Sequence, residues 1–169
     1  LTGDGVPDVL ARSGSLLWLY PRTASGAWQP RISFGSGWNA MSAVLGVGDF
    51  DGDRLPDVLA RERSTGVLWL YRGTGASGFR PRVQVGKAWN VFDVLLGPGD
   101  VDGDGNVDVL TRQTSDGALW LYPGNGTGGW RARVRIGTGW TALASLAAPG
   151  DLTGDGAPDV VARDPATGT

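Results

Sequence analysis

Short apolar runs bounded by Gly, Pro or Asp recur along the whole chain, as in residues 41–47, 57–61, 67–71 and 80–85. Runs of this length that are rich in Val, Leu, Trp and Tyr predict β-strands, and no segment carries a helical period. Residues 16–20 are apolar at every position, which is typical of a sheet covered on both faces. The pattern therefore predicts an all-β protein.

The apolar runs repeat every 51 residues, and Trp18, Trp69 and Trp120 mark the period. Four antiparallel strands in about 50 residues is the size of a β-propeller blade. We therefore predict one domain, a β-propeller segment of four-stranded antiparallel blades. The predicted blades are a partial one over residues 1–40, complete ones over 41–91 and 92–142, and a partial one over 143–169.

Two complete blades do not close a ring, because propellers have about four to eight blades. The end strands of such a segment would be unpaired edges, which natural proteins avoid. We expect the remaining blades to come from the same longer chain, in preference to another copy of this one.

Four acidic loops interrupt the apolar runs. They read DFDGDRLPD from residue 49, DVDGDGNVD from residue 100, DLTGDGAPD from residue 151 and, in shortened form, LTGDGVPD from residue 1. Oxygen side chains at loop positions 1, 3, 5 and 9, with the carbonyl of position 7, can surround Ca²⁺, which takes about six to eight oxygen ligands. The loops hold 13 of the 17 acidic residues, so without a cation like charges would crowd each loop. The alternative is an Asp-rich turn that bonds its own backbone.

Composition excludes several other chemistries. The chain has no Cys and no His, which excludes disulfides, thiolate or imidazole metal ligands and a His base. The net charge of -2 favours neither nucleic acid nor an acidic membrane as partner. No apolar run approaches membrane-spanning length, so we predict no membrane insertion. The acidic residues outside the loops do not recur as a pair, so we predict no enzymatic activity. They are Glu62, Asp93, Asp116 and Asp164.

The loops and the strands after them resemble the FG-GAP repeats of integrin α-chain propellers and the VCBS-type repeats of secreted bacterial proteins. The shared features are the loop D-x-D-x-D-G-x-x-D, the strand PDVLAR and the strand G-x-L-W-L-Y. The resemblance spans essentially the whole chain and implies Ca²⁺ as cofactor and a secreted or cell-surface location. The implied ligands are Asp49, Asp51, Asp53, Leu55 and Asp57; Asp100, Asp102, Asp104, Asn106 and Asp108; Asp151, Thr153, Asp155, Ala157 and Asp159; and Thr2, Asp4, Val6 and Asp8, with the position-7 residue of each loop acting through its carbonyl.

Two aromatic series are candidates for ligand binding. Trp38, Trp89 and Trp140 recur where one predicted blade meets the next, and some propeller lectins with similar repeats build sugar sites at such junctions. The alternative is that these side chains pack between sheets. The second candidates, predicted to be more exposed, are Trp28, Phe79 and Trp130.

A third series, Arg12, Arg61, Arg112 and Arg163, ends the predicted second strands. We expect these side chains to pair with a carboxylate or a turn carbonyl of the neighbouring blade. For the whole chain we expect a calcium-binding, lectin-like recognition module with a carbohydrate or protein ligand. The alternative is a non-catalytic scaffold or protein-interaction module attached to a secreted hydrolase or adhesin.

Overall fold

The computed structural model describes residues 1–75 and 78–167, and these residues are all-β. No helix among them is long and apolar enough to cross a membrane. Short 3-10 turns at Trp38–Ala40, Trp89–Val91 and Trp140–Ala142 precede three of the strands. The strands are β1 (Val9–Ser13), β2 (Leu16–Tyr20), β3 (Ile32–Ser33), β4 (Met41–Gly48), β5 (Asp57–Glu62), β6 (Leu68–Tyr71), β7 (Val83–Gly86), β8 (Phe92–Gly99), β9 (Asp108–Gln113), β10 (Leu119–Tyr122), β11 (Val134–Gly137), β12 (Ser145–Gly150) and β13 (Asp159–Arg163).

Each sheet is an antiparallel meander in which neighbours in sequence are neighbours in space. The orders are β1-β2-β3, β4-β5-β6-β7, β8-β9-β10-β11 and β12-β13. The two four-stranded sheets share one register, since Leu59 pairs with Leu70 and Leu110 pairs with Leu121. The four-stranded antiparallel sheets predicted from the 51-residue period are confirmed.

Three of the four strands predicted in the second repeat agree with β4, β5 and β6 to within one residue. The fourth, predicted over residues 80–85, begins later, because β7 spans Val83–Gly86. After β6 the chain first makes an isolated bridge between Gly73 and Phe79. Phe79 and Arg80 therefore belong to the connection between β6 and β7.

The chain forms two compact units, Leu1–Trp89 and Asn90–Thr169. In the first unit the core lies between the sheet β1-β2-β3 and one face of the sheet β4-β5-β6-β7. Leu17 and Leu19 of β2 pack in one cluster with Val58 and Ala60 of β5, and none of the four is more than 1% exposed. Burying each aliphatic side chain of this size contributes about 1.5–3 kcal/mol.

The core of the second unit lies in the sheet β8-β9-β10-β11. Phe92, Val109, Leu119 and Leu121 are buried there. The alternating burial along β10 places both leucines on one covered face. The apolar positions of the sequence thus form the interior of each unit.

A glycine at the end of the fourth strand lets the following Trp fold back over the backbone. A Cβ added at Gly86 would lie 2.0 Å from Nε1 of Trp89, and one at Gly137 would lie 2.4 Å from Nε1 of Trp140. No side chain fits at such distances. In the dipeptides Val85-Gly86 and Ile136-Gly137, the glycine is therefore required by the packing of the Trp that follows three residues later.

Candidate metal loops

Each complete acidic loop connects the first strand of a sheet to the second. The loops lie between β4 and β5, between β8 and β9, and between β12 and β13. The last Asp of each loop is the first residue of the second strand, and Asp57 and Asp108 are 0% and 1% exposed. Because an acidic residue is rarely buried without a partner, each of these two carboxylates needs compensation.

The buried carboxylate of Asp57 organises the backbone around it. Its Oδ2 accepts hydrogen bonds from the backbone N–H groups of Phe50 at 3.0 Å and Asp51 at 3.3 Å. Its Oδ1 accepts one from Gly73 N–H at 2.9 Å, which ties the β6–β7 connection to the loop. In the next repeat Asp108 makes the equivalent bonds, including one from Gly124 N–H at 3.0 Å.

Three carboxylates converge in each of these two loops. One carboxylate oxygen from each of Asp49, Asp51 and Asp57 lies within 4.8 Å of the other two. The same holds for the group Asp100, Asp102 and Asp108. The sequence predicted all six as calcium ligands, and the structure brings them together at the predicted loop positions 1, 3 and 9.

The electrostatics of the two groups favour a cation. Burial, together with the negative charges of Asp51 and Asp53, raises the pKa of Asp57 to about 6. Burial and the charge of Asp102 likewise raise the pKa of Asp108. A raised carboxyl pKa means that the ionised form is disfavoured where it stands. A hard cation with oxygen ligands would remove that penalty, so the donor set fits Ca²⁺.

The carboxylate at loop position 5 lies outside these groups. Oδ1 of Asp53 accepts a hydrogen bond from Leu55 N–H at 2.9 Å, and its Oδ2 lies 3.0 Å from Nη1 of Arg80. Asp104 pairs in the same way with Arg131. A hydrogen bond from the backbone of Asn106, with contributions from the Asn106 amide and from Arg131, lowers the pKa of Asp104.

The last loop has the same hydrogen-bond pattern but a lower negative charge. Asp159 Oδ2 accepts backbone N–H groups from Leu152 at 2.7 Å and Thr153 at 2.9 Å. Asp151 accepts bonds from two glycines, and the bond from Gly156 is the main reason that its pKa is lowered. Thr153 supplies a hydroxyl where the other complete loops have a carboxylate.

The first loop, which begins at residue 1, keeps the same bonds around its last Asp. Asp8 Oδ2 accepts the backbone N–H and the hydroxyl of Thr2 at 2.9 and 3.1 Å. The position-5 carboxylates of the first and last loops also bond the backbone two residues on, since Asp4 accepts Val6 N–H and Asp155 accepts Ala157 N–H, each at 2.9 Å. The backbone hydrogen bonds of an Asp-rich turn are therefore present in the loops, and cation binding there stays a prediction.

The recurring Arg of the second strand connects consecutive repeats. Nη1 of Arg12 donates to the carbonyl of Trp38 at 3.2 Å, and Nη1 of Arg61 donates to that of Trp89 at 3.0 Å. Nη1 of Arg112 donates to the carbonyl of Trp140 at 2.9 Å. The expectation that this Arg binds a turn carbonyl at the neighbouring blade is confirmed for these three residues.

The junction Trp residues are largely covered. Trp38 and Trp89 are 5% and 4% exposed, and Trp140 is half-buried. The indole N–H of Trp38 donates to the Phe34 carbonyl at 3.2 Å. Burial favours the packing alternative for Trp38 and Trp89, and sugar contact at this series stays a prediction.

The second aromatic series lies in the connection between the third and fourth strands. Trp28 is 60% exposed, whereas Phe79 and Trp130 are half-buried. Phe79 packs against Phe34 with ring centroids 4.8 Å apart and against Tyr71 at 5.6 Å. Trp28 is therefore the most exposed side chain of this series.

A further repeated contact escaped the sequence reasoning. The guanidinium groups of Arg31, Arg82 and Arg133 lie 4.1, 4.0 and 4.2 Å from ring centroids of the Trp in the adjacent third strand. Each Arg also donates to the hydroxyl of the Tyr that lies two residues after this Trp. Their 51-residue spacing was the available signal. A guanidinium over an indole is stabilising by about 0.5–1 kcal/mol at exposed sites.

The repeated antiparallel sheets, each with an acidic loop before its second strand, define a β-propeller repeat protein. The chain belongs to the FG-GAP-like repeat family, which it matches over residues 1–60, 49–111 and 100–162. The resemblance to FG-GAP repeats seen in the sequence is thereby confirmed. No match was found among curated proteins.

The fold is similar to that of a solved lectin from Agrocybe aegerita, described as specifically recognising non-reducing terminal N-acetylglucosamine. The TM-score is 0.60 and the sequence identity 18%, and the match covers 95% of this chain. This chain spans 44% of the length of the lectin chain. Together with the family match, the likeness establishes a β-propeller segment of four-stranded antiparallel blades.

Proposed function

We propose that this chain is a calcium-binding, non-catalytic recognition segment of a β-propeller in a secreted or cell-surface protein. The observation that carries the proposal is the three-carboxylate group repeated in consecutive loops, in which one oxygen from each carboxylate lies within 4.8 Å of the other two. The groups are Asp49, Asp51 and Asp57, and Asp100, Asp102 and Asp108.

The role of the cation would be structural. A bound Ca²⁺ supplies positive charge that neutralises the converging carboxylates. Asp57 holds the start of β5, the loop backbone and the β6–β7 connection at once, through Phe50, Asp51 and Gly73. Stabilising this carboxylate in its ionised form therefore stabilises the junction of three segments.

Calorimetric titration of the chain with CaCl₂ tests the metal part of the proposal. We expect saturable binding to at least two sites in the parent chain. The double variant Asp51→Asn, Asp102→Asn should lose roughly tenfold or more in affinity at these sites, because each loop loses one charged ligand. Asp116→Asn, outside the loops, is the control and should bind as the parent does. The absence of binding at millimolar CaCl₂ would refute a calcium module.

For the ligand we propose a carbohydrate, supported by the fold shared with a lectin and by the exposure of the Trp28 side chain. Aromatic faces suit the apolar side of a sugar ring, since Trp offers a large surface with one polar group. The scaffold alternative is supported by the burial of Trp38 and Trp89.

A glycan array that includes glycans ending in N-acetylglucosamine separates the two alternatives. The carbohydrate proposal predicts binding by the parent chain that is lost in Trp28→Ala, with an unchanged melting temperature in the variant. If the parent binds no glycan, the scaffold alternative stands. Binding that survives in Trp28→Ala would place the sugar elsewhere on the surface.

A further inference from the structure

Arg80 and Arg131 occupy the same position in consecutive repeats, 51 residues apart. Each lies in the connection between the third and fourth strands and reaches back to the acidic loop of its own repeat. Nη1 of Arg80 is 3.0 Å from Oδ2 of Asp53. The guanidinium of Arg131 pairs with Oδ2 of Asp104. The ion pair is thus a repeated feature of the fold.

Oδ2 of each position-5 carboxylate is in ion-pair contact with its Arg but accepts no hydrogen bond, whereas Oδ1 is held by the backbone. Oδ1 of Asp53 accepts Leu55 N–H at 2.9 Å. Oδ1 of Asp104 accepts the backbone N–H and the side-chain amide of Asn106, both at 2.8 Å. With Oδ2 engaged by Arg, neither carboxylate belongs to the three-carboxylate group of its loop.

The backbone fixes the position of each Arg next to its loop. The N–H of Arg80 donates to the Arg72 carbonyl, and that of Arg131 donates to the Pro123 carbonyl, both at 2.9 Å. The side chains of Arg80 and Arg131 are nevertheless 42% and 52% exposed. An ion pair as exposed as this is weak enough for a cation to break.

We propose that Arg80 and Arg131 are affinity-determining residues that compete with the cation of the metal loops. Each guanidinium holds the position-5 carboxylate when no cation is bound and releases it when that carboxylate turns to the cation. This inference rests on the calcium binding proposed above. In the first repeat, Gln29 stands at the equivalent position, so an Arg is not required by the fold there.

Calcium titration of the double variant Arg80→Gln, Arg131→Gln tests the competition. Removing the competitor should raise the affinity of the two loops roughly fivefold, because the ion pair no longer has to be broken. The matched control is Arg82→Gln, Arg133→Gln. These residues lie two positions further along, with their guanidinium groups over Trp69 and Trp120, and their removal takes away the same charge. The control should raise the affinity by less than twofold, through long-range electrostatics alone.

The possible outcomes separate this inference from the proposed function. If the parent chain does not bind Ca²⁺, the proposed function fails. If the parent binds and the Arg80, Arg131 variant binds no more tightly than the control, the competition is refuted, and weaker binding than the control would mean that each Arg assists the loop. Melts in EDTA show whether the double variant folds, and the two single variants give the same comparison one loop at a time if it does not.

Discussion

Arg54 stands at loop position 6, where the backbone has a positive φ that favours glycine. Loop position 6 is Gly5, Gly105 and Gly156 in the other loops, with φ of 78°, 88° and 89°. Arg54 adopts a φ of 70° at the same point. The left-handed region costs a residue with a Cβ about 1–2 kcal/mol, so the second loop carries local strain that its relatives avoid.

Arg54→Gly should therefore stabilise the chain. We expect the free energy of unfolding to rise by about 0.5–1 kcal/mol, since the relief of strain exceeds the greater entropy of glycine in the unfolded chain. Urea unfolding measures the change. Arg54→Lys keeps both the charge and the strain and should leave stability unaltered. A gain with Lys as large as the gain with Gly would show that the side chain of Arg54, and not its backbone conformation, is unfavourable.

The site residues could be predicted from the sequence only as far as they lie close together in it. Asp49, Asp51 and Asp57 converge because one loop carries all three. The pairing of Asp53 with Arg80 joins residues 27 positions apart, and it depends on the path of the β6–β7 connection. No local pattern determines that path, although the 51-residue spacing of Arg80 and Arg131 marked both as repeated.

At the scale of elements, the β6–β7 connection approaches the second metal loop as closely as glycine allows. A Cβ at Gly73 would lie 2.2 Å from the carbonyl oxygen of Pro56, which is a backbone atom that cannot move aside cheaply. In the following repeat a Cβ at Gly126 would meet the side chain of Asn106 at the same distance. Each connection is thus held directly against a loop.

Gly73→Ala should push the connection away from the loop. We expect a loss of about 1–3 kcal/mol in stability, the usual effect of forcing an extra carbon into a packed site. Gly46→Ala is the matched control, because its Cβ would meet only Leu10 Cδ1, at 3.8 Å, and it should change stability by less than about 0.5 kcal/mol. Chemical unfolding of both variants decides the matter. Equal effects would mean that the close approach is not restrictive.

The side chain that holds the recurring Arg within its own sheet differs between the two units. Arg112 forms a bidentate pair with Asp93 at 2.7 and 3.0 Å, whereas Arg61 bonds the Ser42 hydroxyl at 2.7 Å in the equivalent place. The hydrogen bonds from Arg112, supported by its charge, lower the pKa of Asp93. The second unit therefore gains a pH-dependent contribution at this point.

The sign of that contribution follows from the lowered pKa. The Asp93 carboxylate stabilises the fold fully above its ordinary pKa of about 4, and the contribution is lost as the pH falls through the lowered value in the folded state. Asp93→Ser, which copies Ser42, should thus be less stable than the parent at pH 6 and equally stable near pH 2. Melting temperatures across this range test it. A difference that is independent of pH would contradict the assigned ion pair.

At the scale of the whole molecule, the 51-residue period was sufficient to predict the sheets and their strand order. Strands β4, β5 and β6 agree with the apolar runs because each run is bounded by a strong turn signal. The fourth strand was placed too early, because residues 80–82 look like strand residues but lie in the connection. The stacking of Arg82 over Trp69 was also missed, since it joins the connection to β6 through side chains alone.

We predict that calcium binding and folding are linked, because the converging carboxylates repel one another until a cation neutralises them. A ligand that binds only the folded state stabilises it by about 2.7 kcal/mol per site at 100 times its Kd. For a chain of this size each kcal/mol raises the melting temperature by roughly 2–4 °C. The stabilisation by Ca²⁺ and the resulting shift in melting temperature are therefore both large enough to measure.

The most direct test is a pair of thermal melts of the unmodified chain, one with excess CaCl₂ and one with EDTA, at equal ionic strength. We predict a melting temperature at least several degrees higher with CaCl₂ than with EDTA, and a further rise as the CaCl₂ concentration is increased. Coincident melts in CaCl₂ and EDTA would contradict it, and the acidic loops would then be turns that are stabilised by their own backbone alone.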